Sequence, residues 1–395
     1  MGVEWSTCTY AWFKMKRKAP GSIIASILSK ARHPKDIICR LEYLEKKHGG
    51  IFWDYPLLKP SSRVLIVFDN KLANAIARDD ILFARASEYW EKRDTSSDLY
   101  ERLLGDSLYF SDGYHHQKRT KDYEKRLYTQ KAAAEYINEL SEVLAEYNYE
   151  NGQYSFESLN RQVYSKFLKV YYNVSLTDET LELVSESIQK AWNSRNKALT
   201  CPYRLLKRES TRIDRQLIDR AKTILLSEME RSQDVPSYKS GTSSVSLTHK
   251  YLAEEGLASG LSIIFKLADV IENTRTYMES LDERNMAQLV AESAYYSAED
   301  GIDKLENKCP QIIAITKEII SKLEPPVRLL KRVAVCDTNI EGIEIIRTTE
   351  IWIPTWTSTD LLFGAGMYAC KGKVLTTLIT TSLVKYLAIR KSKIS

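Results

Sequence analysis

The sequence predicts a mainly α-helical chain with small β-sheets, an α+β fold built as one large domain. Three observations carry this. Most of the stretch from 98 to 279 places apolar residues at helical spacing. The β-branched runs are short and sit toward the two ends of the chain, around 64–68 and 332–353. One segment, 248–279, is apolar along much of its middle and is expected to cross the interior.

In chain order, residues 1–30 read as a basic segment, with Lys14, Lys16, Arg17 and Lys18 ahead of a weak apolar patch at 21–28. Such a segment can rest on a membrane surface, although an ordinary amphipathic helix is the plainer reading. The domain proper is expected over 31–395. Pro34 opens a helix carrying Ile37, Ile38, Leu41 and Leu44 that closes at His48-Gly49-Gly50. The run 64–68 reads as a strand, and Asp69-Asn70 starts a helix through Leu72, Ala75 and Ile76. Leu99, Leu103 and Leu104 lead to a turn at Ser111-Asp112-Gly113, and one long polar helix follows through Leu140, Val143 and Leu144. Helices are expected at 161–173, 178–196 and 210–232, then a Ser/Thr-rich loop at 232–247, then the long helix at 248–279. A helix at 311–323 stops before Pro325-Pro326, and strands follow at 332–335, 342–345 and 350–353. A glycine-rich stretch at 361–373 precedes a last helix at 371–390.

Composition excludes several classes. The chain has 395 residues, 44% apolar and 28% charged, with a net charge of +5. That is the profile of a folded domain, and no Lys/Arg run is long enough to argue for nucleic-acid binding. No stretch of apolar residues is long enough for a transmembrane helix. The six cysteines are scattered, with no CxxC pair, which argues against a zinc site on paired cysteines and fits a reducing cytoplasm.

The sharpest motif is Phe363-Gly364-Ala365-Gly366-Met367-Tyr368-Ala369-Cys370-Lys371-Gly372, of the form F-x-x-G-x-x-x-C-x-G, directly before a helix. Gly364 and Gly366 permit backbone geometry closed to other residues and let the chain approach a flat ligand. Cys370 at a helix N-terminus has exposed N–H groups and the helix dipole to favour a thiolate. The bland alternative is an inert cysteine in a glycine-rich turn; the four-position spacing outweighs it.

This element resembles the haem-binding loop of the cytochromes P450, and the likeness runs over roughly residues 30 to 395. It implies the P450 fold, haem b as cofactor, and Cys370 as the axial ligand to iron, with Phe363, Gly364, Gly366 and Gly372 shaping the loop. Asp112-Gly113-Tyr114-His115-His116-Gln117-Lys118-Arg119 resembles the family's D-G-x-x-H-x-x-x-R segment, which implies that His115 and Arg119 meet haem propionates. Leu329-Leu330-Lys331-Arg332-Val333-Ala334 resembles the strand whose arginine meets the other propionate, nominating Arg332. The helix at 248–279 takes the place over the distal haem face. The activity implied is monooxygenation of a small apolar organic substrate, with electrons from a separate ferredoxin or reductase that a basic face near Lys118, Lys121 and Lys331 could receive.

The sequence departs from the family at several points. The distal acid–Thr pair falls on Ala258 and Ser259 in one register and on Ser262 and Ile263 in the other, so Ser259 and Ser262 are the candidates left to hold a water. The E-x-x-R positions carry Ile319 and Lys322, with Glu318 at i,i+4 from Lys322. The family's meander is expected to be deleted between Trp352 and the loop, and its final hairpin to be missing. Tyr368 stands where a propionate-binding His or Arg is usual. Two alternatives follow: a peroxide-using or isomerase/dehydratase-type haem enzyme, or a degenerate P450-fold binding protein.

Overall fold

The computed structural model describes residues 34–54, 63–84, 99–108, 111, 113–126, 130–146, 156–200, 208–232, 249–322, 329–357 and 361–394. The basic segment 1–30 and nearly all of the Ser/Thr-rich stretch 232–247 lie outside them.

Helix α1 (Pro34–His48) ends where Gly49 takes φ 76° and donates its N–H to Glu45 O at 2.8 Å, a left-handed cap that glycine fills without a Cβ penalty. Strand β1 (Ile51–Asp54) pairs antiparallel with β2 (Val64–Val67). Asp69 caps α2 (Asn70–Arg78), accepting from Leu72 N at 2.7 Å, and the two-residue strand β3 (Phe83–Ala84) follows.

The helical layer comprises α3 (Leu99–Leu104), α4 (Gly113–Arg126), α5 (Gln130–Glu146), α6 (Phe156–Tyr172), α7 (Asp178–Thr200) and α8 (Arg208–Arg231). The polar stretch expected as one long helix is thus two, α4 and α5. The interior helix is α9 (His249–Ser262), continued through a π-helical segment, Ile263–Leu267, into α10 (Ala268–Glu279). Then come α11 (Glu283–Ser293), α12 (Ile302–Lys308) and α13 (Pro310–Lys322). Strands β4 (Leu329–Ala334), β5 (Thr338–Ile340), β6 (Ile343–Ile345) and β7 (Glu350–Pro354) precede the last helix, α14 (Lys373–Ile394). Helices α11 and α12 and strands β1, β3 and β5 were not anticipated from periodicity, being short or weakly patterned.

The main sheet runs β1-β2-β7-β4-β3, with β2 and β7 parallel and the other pairs antiparallel. It therefore joins the start of the chain to its last quarter, which no local pattern could reveal. Strands β5 and β6 form a hairpin around Glu341 (φ 52°) and Gly342 (φ 80°). Among the described residues a large core lies between helices and a smaller one between the sheet and α2.

Two expectations about charge resolve here. Lys331 does not belong to a basic outer face. It is 9% exposed, 3.1 Å from Glu350 and 5.3 Å from the ring centroid of the fully buried Trp352, so it belongs to the sheet's interior. Ile319 is buried in the core, whereas Lys322 and Glu318 pair at 2.6 Å on the exposed side of α13. An exposed i,i+4 pair contributes a few tenths of a kcal/mol at most, so these residues do not reproduce a buried anchoring network. The start of α13 is held instead by Glu292, whose carboxylate accepts from Gln311 N and Ile312 N at 2.9 and 3.0 Å.

Candidate functional site

The cysteine loop is shaped by its backbone. Gly364 and Gly366 have φ of 73° and 63°. Cys370 N donates to Phe363 O at 2.6 Å, closing the loop, and Lys373 N and Thr376 N donate to Cys370 O and Gly372 O at 3.2 and 2.8 Å, opening α14. Cys370 is exposed, and its Sγ lies 3.5 Å from where a Cβ on Gly372 would sit. Half-buried Phe363 thus serves the loop through its carbonyl. The close approach at Gly366 is to the end of α2: a Cβ there would meet Arg78 O at 2.9 Å and Arg78 Cα at 3.0 Å. The left-handed backbone is as expected, and the contact with Arg78 shows that this glycine also seats the loop on α2. Gly366→Ala should therefore cost about 2 kcal/mol or more in thermal unfolding, from left-handed strain and the clash together. Gly372→Ala, where the new methyl makes an ordinary contact, should cost under about 1 kcal/mol.

Three elements converge on the loop. Tyr368 is buried, its ring 4.9 Å from the ring of His116 on α4 and 4.9 Å from the guanidinium of Arg332 on β4. Arg332 is 3% exposed and donates to Lys331 O at 2.8 Å and to Ala77 O at 3.3 Å. Ala77 sits in the last turn of α2, whose carbonyl end favours a cation. His116 is buried, with Nε2 3.2 Å from Met367 O and Nδ1 3.0 Å from Ser111 Oγ. Lys371 Nζ, 2.7 Å from Glu124, ties the loop to α4 a second time. The side chain of His115, the histidine nominated by the resemblance, lies outside the described set; its neighbour His116 is seen at the loop.

One turn beyond His116, Arg119 reaches the interior helix. Its guanidinium lies 4.6 Å from the centroid of the Tyr251 ring and donates to Asp106 O at 2.6 Å. Helix α4 therefore touches the cysteine loop with His116 and α9 with Arg119, and spans the distance between them.

Helix α9 has two unlike sides. Gly256 and Gly260 face neighbouring helices: a Cβ on Gly260 would meet Ile188 Cδ1 at 2.6 Å and Tyr164 Cζ at 2.8 Å, and Tyr164 OH donates to Gly256 O at 3.1 Å. At 100° per residue the opposite side carries Tyr251, Glu255, Ala258 and Ser262, with Ser259 beside them. Ser262 is exposed although Leu261 and Ile263 on either side are buried; Ser259 is half-buried. Beyond them, Phe265 in the π-helical segment stacks on Trp192 at 4.8 Å and 14°.

Two acids stand on α9, each turned to the 105–108 turn. Glu254, 1% exposed, accepts from Asp106 N at 2.7 Å and from Lys222 Nζ at 2.8 Å. Glu255 accepts from Leu108 N at 2.6 Å. Burial pushes its carboxyl up to about 7, against the opposing pull of Leu108 N, the nearby Tyr251 hydroxyl and Arg119.

No family model matches the chain, and a search of curated proteins found no match. Solved structures match over nearly the whole length. A crystal structure of P450BioI in complex with hexadec-9Z-enoic acid ligated acyl carrier protein superposes with a TM-score of 0.60 at 14% identity, covering 93% of each chain. The cytochrome P450DA heme domain superposes with a TM-score of 0.65 at 13% identity, covering 89% of this chain and 85% of that one. The chain has the cytochrome P450 fold.

Within the P450 fold, the structure gathers Arg332 and the loop residues Phe363 to Gly372 with α4, and it sets Arg119 against α9. Ser259 and Ser262 fall on or near the same side of that helix, without an acid between them. Glu254, Glu255, Tyr251 and Lys222 were missed by motif reading. Their signal was available: two consecutive acids in an otherwise apolar helix must find partners once buried. Among the described residues, no group of His, Cys, Asp and Glu is arranged to hold a metal ion, and no helix is long and apolar enough to cross a membrane.

Proposed function

We propose that the protein is a haem-thiolate oxidoreductase of the monooxygenase type, acting on a small apolar organic substrate with electrons from a separate ferredoxin or reductase. The observation that carries this is the placement of an exposed thiol, Cys370, on a loop whose buried flank carries Arg332 and His116, with α4 spanning from that loop to the long helix α9. The donor set fits haem b: an exposed thiol for iron, and basic groups along one edge for carboxylates.

Bound haem supplies oxygen activation, and a thiolate ligand favours O–O cleavage by pushing electron density toward iron. The rest is the work of the chain. Cys370, ahead of the first turn of α14, presents its sulfur where helix N–H groups favour the thiolate. Arg332, Arg119 and His116 supply the edge; the Tyr368 ring is in contact with both Arg332 and His116. Half-buried Ser259 and exposed Ser262 are the hydroxyls of α9 that would hold a water there. Lys118 and Lys121 remain for an acidic redox partner; Lys331 does not.

The test is spectroscopic. The reduced protein under carbon monoxide should show the strongly red-shifted band of thiolate-ligated haem, and Cys370→Ala should lose it while keeping its fold by circular dichroism. A wild-type protein that takes up no haem would leave only the shared fold. Turnover with reductant and oxygen, compared with turnover on peroxide alone, then separates monooxygenation from peroxide-driven chemistry.

A further inference from the structure

We propose that Glu255 is a positioning residue: it holds the slot in which Arg119 lies, and so sets how strongly the site grips the carboxylates at a haem edge. This rests on the haem reading above and adds to it a residue that no part of the cysteine motif or the α4 segment names.

The slot has two walls. One is the Tyr251 ring, 4.6 Å from the Arg119 guanidinium; the other is the backbone of the 105–108 turn, where Asp106 O accepts from Arg119 at 2.6 Å. Glu255 touches both. It is one helical turn from Tyr251 on the same side of α9, with its carboxyl beside the Tyr251 hydroxyl, and it fixes the turn by accepting from Leu108 N at 2.6 Å. Its charge also acts on Arg119 directly. An arginine on a surface helix has many rotamers to lose; stacking on one wall and bonding to the other selects one of them. Without Glu255 the turn keeps its tie to α9 at Asp106 N, through Glu254, but loses the one at Leu108 N that stands beside Tyr251.

The neighbouring charges are accounted for. Arg119 faces Glu255 from α4, and Tyr172 of α6 faces Tyr251. Glu254 stands next to it on α9 but is matched by Lys222 from α8 and by Asp106 N. Glu254 thus anchors the turn to α8, whereas Glu255 is the acid that acts on Arg119.

The experiment titrates the full-length apoprotein with haemin and, separately, with haemin dimethyl ester, which lacks the carboxylates. The dissociation constant of the ester divided by that of haemin reads the grip on carboxylates alone. Arg119→Ala should lower that ratio by about tenfold. Glu255→Ala should lower it to a similar extent, and the double variant should show little further loss, because the two act through one contact. The Cys370-dependent carbon monoxide band should persist in all three. Glu255→Gln keeps an oxygen for Leu108 N and loses the charge; it should lower the ratio by about threefold, and it serves if the alanine variant does not fold. A wild-type ratio in the Glu255 variants, or losses that add with Arg119→Ala, overturns the role of Glu255 while leaving the haem reading standing. Failure of the wild type to bind either compound overturns both.

Discussion

Raising the pH from 4.5 to about 8 is expected to cost the native state about 3 kcal/mol at one side chain, Glu255. Burial lifts its carboxyl from the ordinary 4.5 to about 7, and the gap, at about 1.4 kcal/mol per unit, gives that figure to order of magnitude. The direction follows from linkage. Between the two values the unfolded chain has lost the proton and the folded chain keeps it, so stability falls as pH rises. The contribution is fully present below 4.5 and lost as pH passes through about 7. Asp300, Glu139, Glu272 and Glu318 work the other way: each pairs with a cation that lowers its pKa, so what they contribute is lost as the solution turns acid. Comparison with Glu255→Gln isolates the one from the others. Gln resembles the protonated acid, so the variant should match the wild type near pH 5 and exceed it near pH 8 by about 2–3 kcal/mol in chemical denaturation. Parallel stability curves for the two proteins would assign the titration elsewhere. A substitution that raises stability while weakening the hold on haem carboxylates is what a site that sacrifices stability for function produces.

Much of the fold was legible where chemistry is local. The long helix over 248–279 announced itself by being apolar on most sides, and only its π-helical interruption at Ile263–Leu267 was unreadable, since that depends on packing against α6 and, through Phe265 on Trp192, α7. The cysteine loop was legible from four spaced residues. The contact of Gly366 with Arg78 was not, because Arg78 is far away in sequence. Lys331 shows the same limit. A lysine in a strand reads as exposed until Trp352 and Glu350 of a partner strand bury it. The contact of His116 with the loop was likewise hidden, because Met367 and Tyr368 are far from it in sequence. In each case the missing information is a long-range contact, for which a single sequence offers no local signal.

Lys222→Ala is expected to destabilise the protein by about 3–5 kcal/mol, more than most surface changes, because it strands the Glu254 carboxylate. That carboxylate is 1% exposed, and Lys222 is 15% exposed, so neither charge is well hydrated. Removing the ammonium leaves Asp106 N as the closest remaining donor, at 2.7 Å. The turn cannot relax toward the vacated space without cost. Gly105 already holds φ 46° against the carboxyl, so closely that a Cβ there would collide with it. Replacing both partners by neutral groups of similar shape, Lys222→Met with Glu254→Gln, should restore stability to within about 1 kcal/mol of the wild type, since Gln still offers an oxygen to Asp106 N and no charge is left unmatched. Urea denaturation of the three proteins measures this, with an unchanged dependence on denaturant showing that the compactness of the end states is the same. A single-variant cost below about 1 kcal/mol would mean that water reaches Glu254 and that the ion pair is a surface one. The same turn carries Asp106 O and Leu108 N, one wall of the slot around Arg119, so the stability lost in Lys222→Ala should be accompanied by a weaker discrimination between haemin and its dimethyl ester, and the double replacement should recover both.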